Sequence, residues 1–234
     1  MSEIVFGIHA VRDAIASGRG KLLIIQGENP RHQDLIDDAK RMGLKRRPAG
    51  KRELDRRSDG GRHQGVALEV APFPYAPLKR LLEEDGPIIA LDGVSDPGNL
   101  GAIIRSTYAL GGAGVVIPKR SAAPVTPACE RSAAGAASLL PIASVTNLSR
   151  ALDELKAAGR WVFAADAHAP AGLDNLDLSE PVVLVLGSEG AGLRPGVLKR
   201  CDGSFKLPMV RDFESLNVSV SAALCLDAAR RARL

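Results

Sequence analysis

The stretch PIIALDGVSDPGNLGAIIRSTYALGGAGVVIP, residues 87–118, reads as an apolar run, a polar turn, a helical segment and a second apolar run. Continuous apolar runs such as PIIALD and GVVIP, separated by helices, imply strands of a parallel sheet buried on both faces. Asp96-Pro97-Gly98 is turn chemistry, and Asn99 is the expected N-cap of a helix running to Leu110. That puts Asn99 at the carboxyl end of the preceding strand and Arg105 in the second turn of the helix. An arginine there can hold a phosphate or stabilise a developing oxyanion. A helix arginine paired with a neighbouring carboxylate would explain it without a function.

Working outward, PIASV, WVFAAD, PVVLVLG and SFKLPM repeat the strand signal, and NLSRALDELKAAG is the clearest further helix. Residues 78–234 therefore read as an α/β domain, a parallel sheet with helices on both faces. Upstream, GIHAVRDAIASG reads as a helix ending at Gly18, KLLIIQG as a strand, and HQDLIDDAKRMG as an amphipathic helix closed by Gly43. LKRRP and GVALEVAP add short strands, so residues 1–72 form a small α/β unit of their own. APFPYAP, residues 71–77, has three prolines in seven residues and breaks both periodicities, which makes 73–77 the expected linker.

With 234 residues, 45% hydrophobic and 25% charged, the composition suits a cytosolic globular protein of one large or two small domains. MSEIVFGIHAVRDAI lacks the pattern of a secretory signal, and no apolar stretch approaches a membrane span. Cys129, Cys201 and Cys225 are odd in number and far apart, which predicts neither a disulfide framework nor a metal site. The net charge of +4 is uneven: residues 1–75 hold fourteen Lys and Arg against ten Asp and Glu, and the remainder holds seventeen of each. Ten of the basic residues fall between Lys40 and Arg62, a stretch suited either to a polyanion or to a solvated face. Eight aromatic residues are too few for stacking on unpaired bases to dominate affinity.

Two more polar, glycine-punctuated blocks follow strand-like runs, LGSEGAGL at 186–193 and LPMVRDFESLNVSVSAAL at 207–224. Ligands of open α/β sheets gather at the carboxyl ends of the strands, so the three blocks outline one site. LGSEGAGL lacks the Lys-Ser/Thr end of a P-loop and the order of a dinucleotide fingerprint. It offers bare backbone at Gly187, Gly190 and Gly192 and one carboxylate, Glu189. In the third block Ser215 and Asn217 stand at the start of the final helix, where side chains and free backbone N–H groups are both available, and an N-cap role alone would account for Ser215 but not for Asn217. That helix is small and apolar nearly all round, which predicts burial on several sides. His9, His32, His63 and His168 are scattered and read as structural or surface residues.

DPGNLGAIIR, GSEGAGL and SLNVSV, in this order, resemble the three motifs of the SpoU/TrmH branch of the SPOUT RNA methyltransferases. FGIHAV at 6–11 and HQGV at 63–66 resemble the RNA substrate-binding domain of the 23S rRNA guanosine 2′-O-methyltransferase subgroup. The chain departs from the pattern at Glu214, where close relatives often carry a small residue before the serine. The resemblance implies a C-terminal trefoil knot, S-adenosylmethionine bound there by Gly187, Leu207, Met209 and Leu216, and a homodimer with the RNA site near its interface. It further implies functional roles for Asn99, Arg105, Glu189, Ser215 and Asn217. The implied reaction is methyl transfer to the ribose 2′-hydroxyl of a guanosine in 23S rRNA, naked or in an assembling large ribosomal subunit. A tRNA guanosine 2′-O-methyltransferase and a non-catalytic RNA-binding protein are the alternatives.

Overall fold

The short alternating runs of the first third build a mixed sheet in the computed structural model, which describes residues 3–27, 29–58, 61–188, 190–211 and 215–234. The chain divides into two units, Met1–Pro74 and Tyr75–Leu234. In the first, β1 (Glu3–Phe6), α1 (Ile8–Ala16), β2 (Gly20–Ile25), α2 (Gln33–Arg41), β3 (Lys45–Pro48), α3 (Lys51–Arg57) and β4 (Val66–Val70) follow in order. The sheet order is β1-β4-β2-β3, with β2 and β3 parallel and β4 antiparallel to both β1 and β2. One face buries Leu23, Ile25, Leu68 and Val70 against Val11, Ile15 and Leu35 of α1 and α2. The other buries Ile24 and Ala67 against Leu54 of α3.

The helices at 8–16 and 33–41 and strands β2, β3 and β4 match the sequence reading, whereas β1 and α3 have no counterpart in it. KRELDRR contains one apolar residue, Leu54, so no hydrophobic period marks α3. Ion pairs fasten it instead. Arg47 of β3 holds Glu53 through two hydrogen bonds of 2.7 and 3.2 Å, and Arg57 joins Glu53 at 3.1 Å to Glu69 of β4 at 3.0 Å. The Arg47 guanidinium, with Arg57 beside it, holds the Glu53 carboxyl below the usual carboxylate range.

The second unit contains β5 (Ile88–Asp92), α4 (Pro97–Ala109), β6 (Gly114–Pro118), α5 (Pro127–Ala133), β7 (Ile142–Val145), α6 (Leu148–Ala157), β8 (Trp161–Ala165), β9 (Val182–Gly187), α7 (Pro195–Leu198), β10 (Gly203–Phe205) and α8 (Val218–Ala232). All the pairings are parallel, in the order β10-β8-β9-β5-β6-β7. β5 and β6 are buried at every position, as the apolar runs 88–91 and Gly114–Pro118 require, and Asp92 is buried with them. Ile88, Ala90, Val116, Val183 and Val185 face Leu148, Leu152 and Leu155 of α6. The opposite face is covered by α4, which packs on α5 and α8. Gly101 permits the α4–α5 approach, since a Cβ there would lie 2.4 Å from the Cys129 carbonyl oxygen. SFKLPM is strand only as far as Phe205. Lys206 makes a single bridge to Gly172, and Pro208 has no N–H to extend a ladder.

Tyr75 and Ala76 are tied into the second unit, where the Tyr75 hydroxyl accepts from the Val125 N–H at 2.9 Å and the Ala76 N–H donates to the Ile142 carbonyl at 2.8 Å. At the opposite end of the unit from the strand carboxyl ends, Arg233 donates to the carbonyl oxygens of Glu180 (2.7 Å) and Asp85, fixing the tail of α8. Cys129, Cys201 and Cys225 are free thiols, and burial pushes Cys225 up to about 12. Among the described residues no helix is long and apolar enough to cross a membrane.

Candidate active site

Asp92 and Gly187 end neighbouring strands and stand side by side in register, so the first and second polar blocks leave the sheet together. The first block turns at once into α4. Its N-cap is Asp96, not Asn99: the Asp96 carboxylate accepts from the Asn99 N–H at 2.7 Å, and Pro97 occupies the first helical position. Proline at that position needs no donor and has the right φ, which shifts the cap three residues upstream of the expected one. Asn99 is thereby freed from capping and lies half-buried in the first turn.

The third block reaches the same place from the other end of the unit. Asn217 is the N-cap of α8, its Oδ1 accepting from the Ser219 N–H at 2.9 Å and the Ser219 hydroxyl at 2.6 Å. Its side-chain amide donates to Asn99 Oδ1 at 3.0 Å. The cap is thus Asn217, and Ser215 is exposed two residues before it. Leu207 and Met209 lie in the segment leaving β10 and Leu216 directly before α8, all three half-buried. Glu189 falls outside the described residues.

Arg105 does not converge with the two asparagines inside one chain. It begins the third turn of α4, not the second, roughly 9 Å along the axis from Asn99 and about 120° around it. It is exposed and has no hydrogen-bond or ion-pair partner among the described residues. α8 is likewise less enclosed than its composition predicts. Ala222, Cys225, Leu226 and Ala229 are buried, but Val220 and Leu224 are 47% and 45% exposed, as is Tyr108 of α4 at 48%.

Between Gly187 and Arg194 the second block forms a tight loop. Ser188 and Gly192 exchange backbone hydrogen bonds of 3.2 and 3.0 Å. A Cβ at Gly187 would lie 2.3 and 2.4 Å from the carbonyl carbon and oxygen of Gly192 and 2.7 Å from the Leu193 nitrogen. A side chain is excluded there by backbone on the far side of the loop.

Sequence reasoning missed the pair that ties this loop down. Asp92, 1% exposed, accepts from the Arg194 N–H at 2.9 Å and from its Nε at 2.7 Å, with Nη2 at 2.5 Å. The signal was a carboxylate ending a fully apolar strand, a position affordable only with a partner. Asp92→Ala removes the acceptor of a backbone N–H and of a guanidinium. We expect a loss of about 2–3 kcal/mol in equilibrium urea unfolding, with Asp92→Asn losing less. Unchanged stability in the alanine variant would mean that the loop is held by other contacts.

Bare backbone, two hydrogen-bonded amide side chains, one half-buried and one exposed, and an exposed arginine at the carboxyl ends of parallel strands can hold a nucleoside and position a hydroxyl. Known proteins with this arrangement are close at hand. Residues 86–227 match the sequence model of the SpoU rRNA Methylase family, and residues 4–76 match that of the RNA 2'-O ribose methyltransferase substrate binding domain. The chain is 38% identical to the 23S rRNA (guanosine-2'-O-)-methyltransferase RlmB of Pseudomonas syringae pv. tomato, over 99% of its own length and 96% of that protein's. It is 35% identical to the protein of that name from Photobacterium profundum, over 99% and 98% of the two lengths. Its fold is similar, with a TM-score of 0.69 and 26% identity over 99% and 90% of the chains, to that of the SpoU methyltransferase AviRb of Streptomyces viridochromogenes in complex with the cofactor AdoMet. The α/β unit that carries the Asn99–Asn217 bond and the Gly187 loop thus has a known lineage, and the chain belongs to the SpoU rRNA methylase family.

Proposed function

We propose that the chain transfers a methyl group from S-adenosylmethionine to the ribose 2′-hydroxyl of a guanosine in 23S rRNA, in the cytoplasm. The observation that carries this reading is the hydrogen bond between Asn217 and Asn99, which joins two motifs from opposite ends of the second unit beside the bare Gly187 strand end. The likeness to RlmB proteins over nearly the whole chain supports rRNA as the acceptor.

The Gly187 loop, which has no room for a side chain, and the half-buried Leu207, Met209 and Leu216 fit an adenosyl group held by backbone and apolar contacts. When bound, S-adenosylmethionine supplies an electrophilic methyl, so the protein must align the acceptor oxygen and manage one proton. Asn99, Ser215, Asn217 and Glu189 orient the nucleotide. Arg105 stabilises the nascent alkoxide or an adjacent phosphate, because a guanidinium carries hydrogen-bond donors and no acceptor atom. The exposure of Arg105, Tyr108, Val220 and Leu224 on the packed pair α4 and α8 supports a homodimer in which that face is covered. The C-terminal segment completes a trefoil knot around the Gly187 loop. Residues 1–72 bind the RNA, 73–77 link, and 78–234 carry out the transfer.

The test offers labelled S-adenosylmethionine with large-subunit rRNA, tRNA and large ribosomal subunits, each from cells lacking the gene. The expected result is a single 2′-O-methylguanosine in the rRNA or the particle. Label in tRNA alone transfers the assignment to tRNA, and label in none of the three overturns it.

A further inference from the structure

Both carboxylates of α3 are engaged, and four of the cations around them are not. Glu53 is taken by Arg47 and Arg57, and Asp55 by His63, whose Nε2 donates to it at 2.9 Å while Nδ1 accepts from the Gly65 N–H at 2.9 Å. Lys45, Lys51, Arg52 and Arg56 are exposed and have no acidic partner among the described residues. These four share one side of the first unit. Lys45 pairs in register with Leu22, which packs on the α3 face of the sheet. In α3, Glu53, Leu54 and Arg57 turn inward, so the helical period puts Lys51, Arg52 and Arg56 outward. Arg46 emerges on the other side of the sheet and is not part of the group.

Arg52 and Arg56 are like charges four residues apart, which costs helix stability when nothing compensates it. The α2 side differs. There Arg12 and Arg41 are paired with Asp34 and Asp38, and Asp37 adds a further acid. Lys40 and Arg46 add exposed cations on that side, among more acids, so the larger excess of positive charge lies on the α3 side. No Phe, Tyr or Trp side chain among its described residues is exposed: Phe6 and Phe73 are both half-buried. A surface with cations and no stacking platform recognises phosphates, not splayed bases.

We propose that Lys45, Lys51, Arg52 and Arg56, on the edge strand β3 and the outer face of α3, dock the sugar-phosphate backbone of a base-paired segment of the RNA substrate. The inference rests on the reading that this chain acts on RNA, and it identifies the side of the first unit that meets it. Binding by counterion release makes affinity fall with salt, by about 0.9 logarithmic units per tenfold salt for each phosphate neutralised on a duplex.

The test compares the full chain with the variant Lys45→Ala/Lys51→Ala/Arg52→Ala/Arg56→Ala, and with Arg12→Ala/Arg41→Ala as the control from the α2 side. Each is titrated with a 23S rRNA transcript by filter binding across a salt series, and assayed for methyl transfer. The fourfold variant is expected to bind about 10- to 100-fold more weakly, with its salt slope reduced by about 3 to 4 and its melting temperature unchanged. KM for RNA rises and kcat is retained, and the control stays within about twofold of the parent. An unchanged affinity and slope in the fourfold variant overturns the docking face, and methylation by the parent would then leave the proposed activity standing. If the parent binds but methylates no RNA, the activity fails, while the affinity comparison still decides the face. A parent that does not bind the transcript overturns the face as an RNA dock.

Discussion

Arg105→Ala is expected to lower single-turnover methyl transfer by about 10²- to 10³-fold, the range seen when one preorganised oxyanion donor is removed, and to leave the melting temperature unchanged. The structural half follows from its surroundings: the side chain is exposed on α4 and holds no partner among the described residues, so removing it breaks no hydrogen bond or ion pair among them. The kinetic half follows from charge. Deprotonating the 2′-hydroxyl builds negative charge on oxygen, and a fixed guanidinium stabilises it without reorganising. Arg105→Lys keeps the charge and loses the planar fork, so it separates two versions of the role. A drop of about tenfold or more in the lysine variant indicates two-point recognition of an oxyanion or phosphate. Near-parental turnover in the lysine variant leaves a point charge as sufficient, and near-parental turnover in the alanine variant removes Arg105 from the chemistry. S-adenosylmethionine affinity, measured by calorimetry, should be the same in all three proteins.

Gly187→Ala should produce the opposite pattern, a loss of cofactor affinity of at least about 100-fold. The new methyl would fall 2.3 to 2.7 Å from three backbone atoms of Gly192 and Leu193, and backbone cannot swing aside as a side-chain end can. Relief requires the loop to move out, stretching the Ser188–Gly192 hydrogen bonds and straining the Asp92–Arg194 tie. Gly196→Ala is the matched comparison. Its Cβ would have Ser149 Oγ as its nearest neighbour at 4.0 Å, so binding should be unchanged. Tight cofactor binding by the Gly187 variant would show that the loop does not hold the adenosyl group.

Sequence periodicity reveals the parallel sheet because strands buried on both faces must be almost wholly apolar, as β9 is and as β5 is up to Asp92. It is silent on α3, whose position depends on Arg47, Arg57, Glu53 and Glu69 and on a single leucine. The same limit applies in the site. Asn99 and Asn217 were recognisable by motif, but each end of their hydrogen bond depends on which residue caps its helix, and the α4 cap lies three residues from the one expected. The Asp92–Arg194 pair spans 102 residues and exists only because β5 and β9 are neighbours, a topological fact with no local trace. Arg105 was legible as a residue type, whereas its separation from the asparagines is a property of the helix.

The bond from Asn217 to Asn99 also sets an order of events during synthesis. The two residues are 118 positions apart. At the usual 5–20 residues per second, Asn217 is made roughly 6 to 24 s after Asn99. Until α8 arrives, the side of α4 that it covers lies bare, and Arg233 cannot fasten the far rim. The first unit can be finished and waiting while the second remains open, so the interval is one in which a nascent chain invites chaperones or aggregation. The second unit can close only once α8 has been made, so its competence is decided late in its own synthesis.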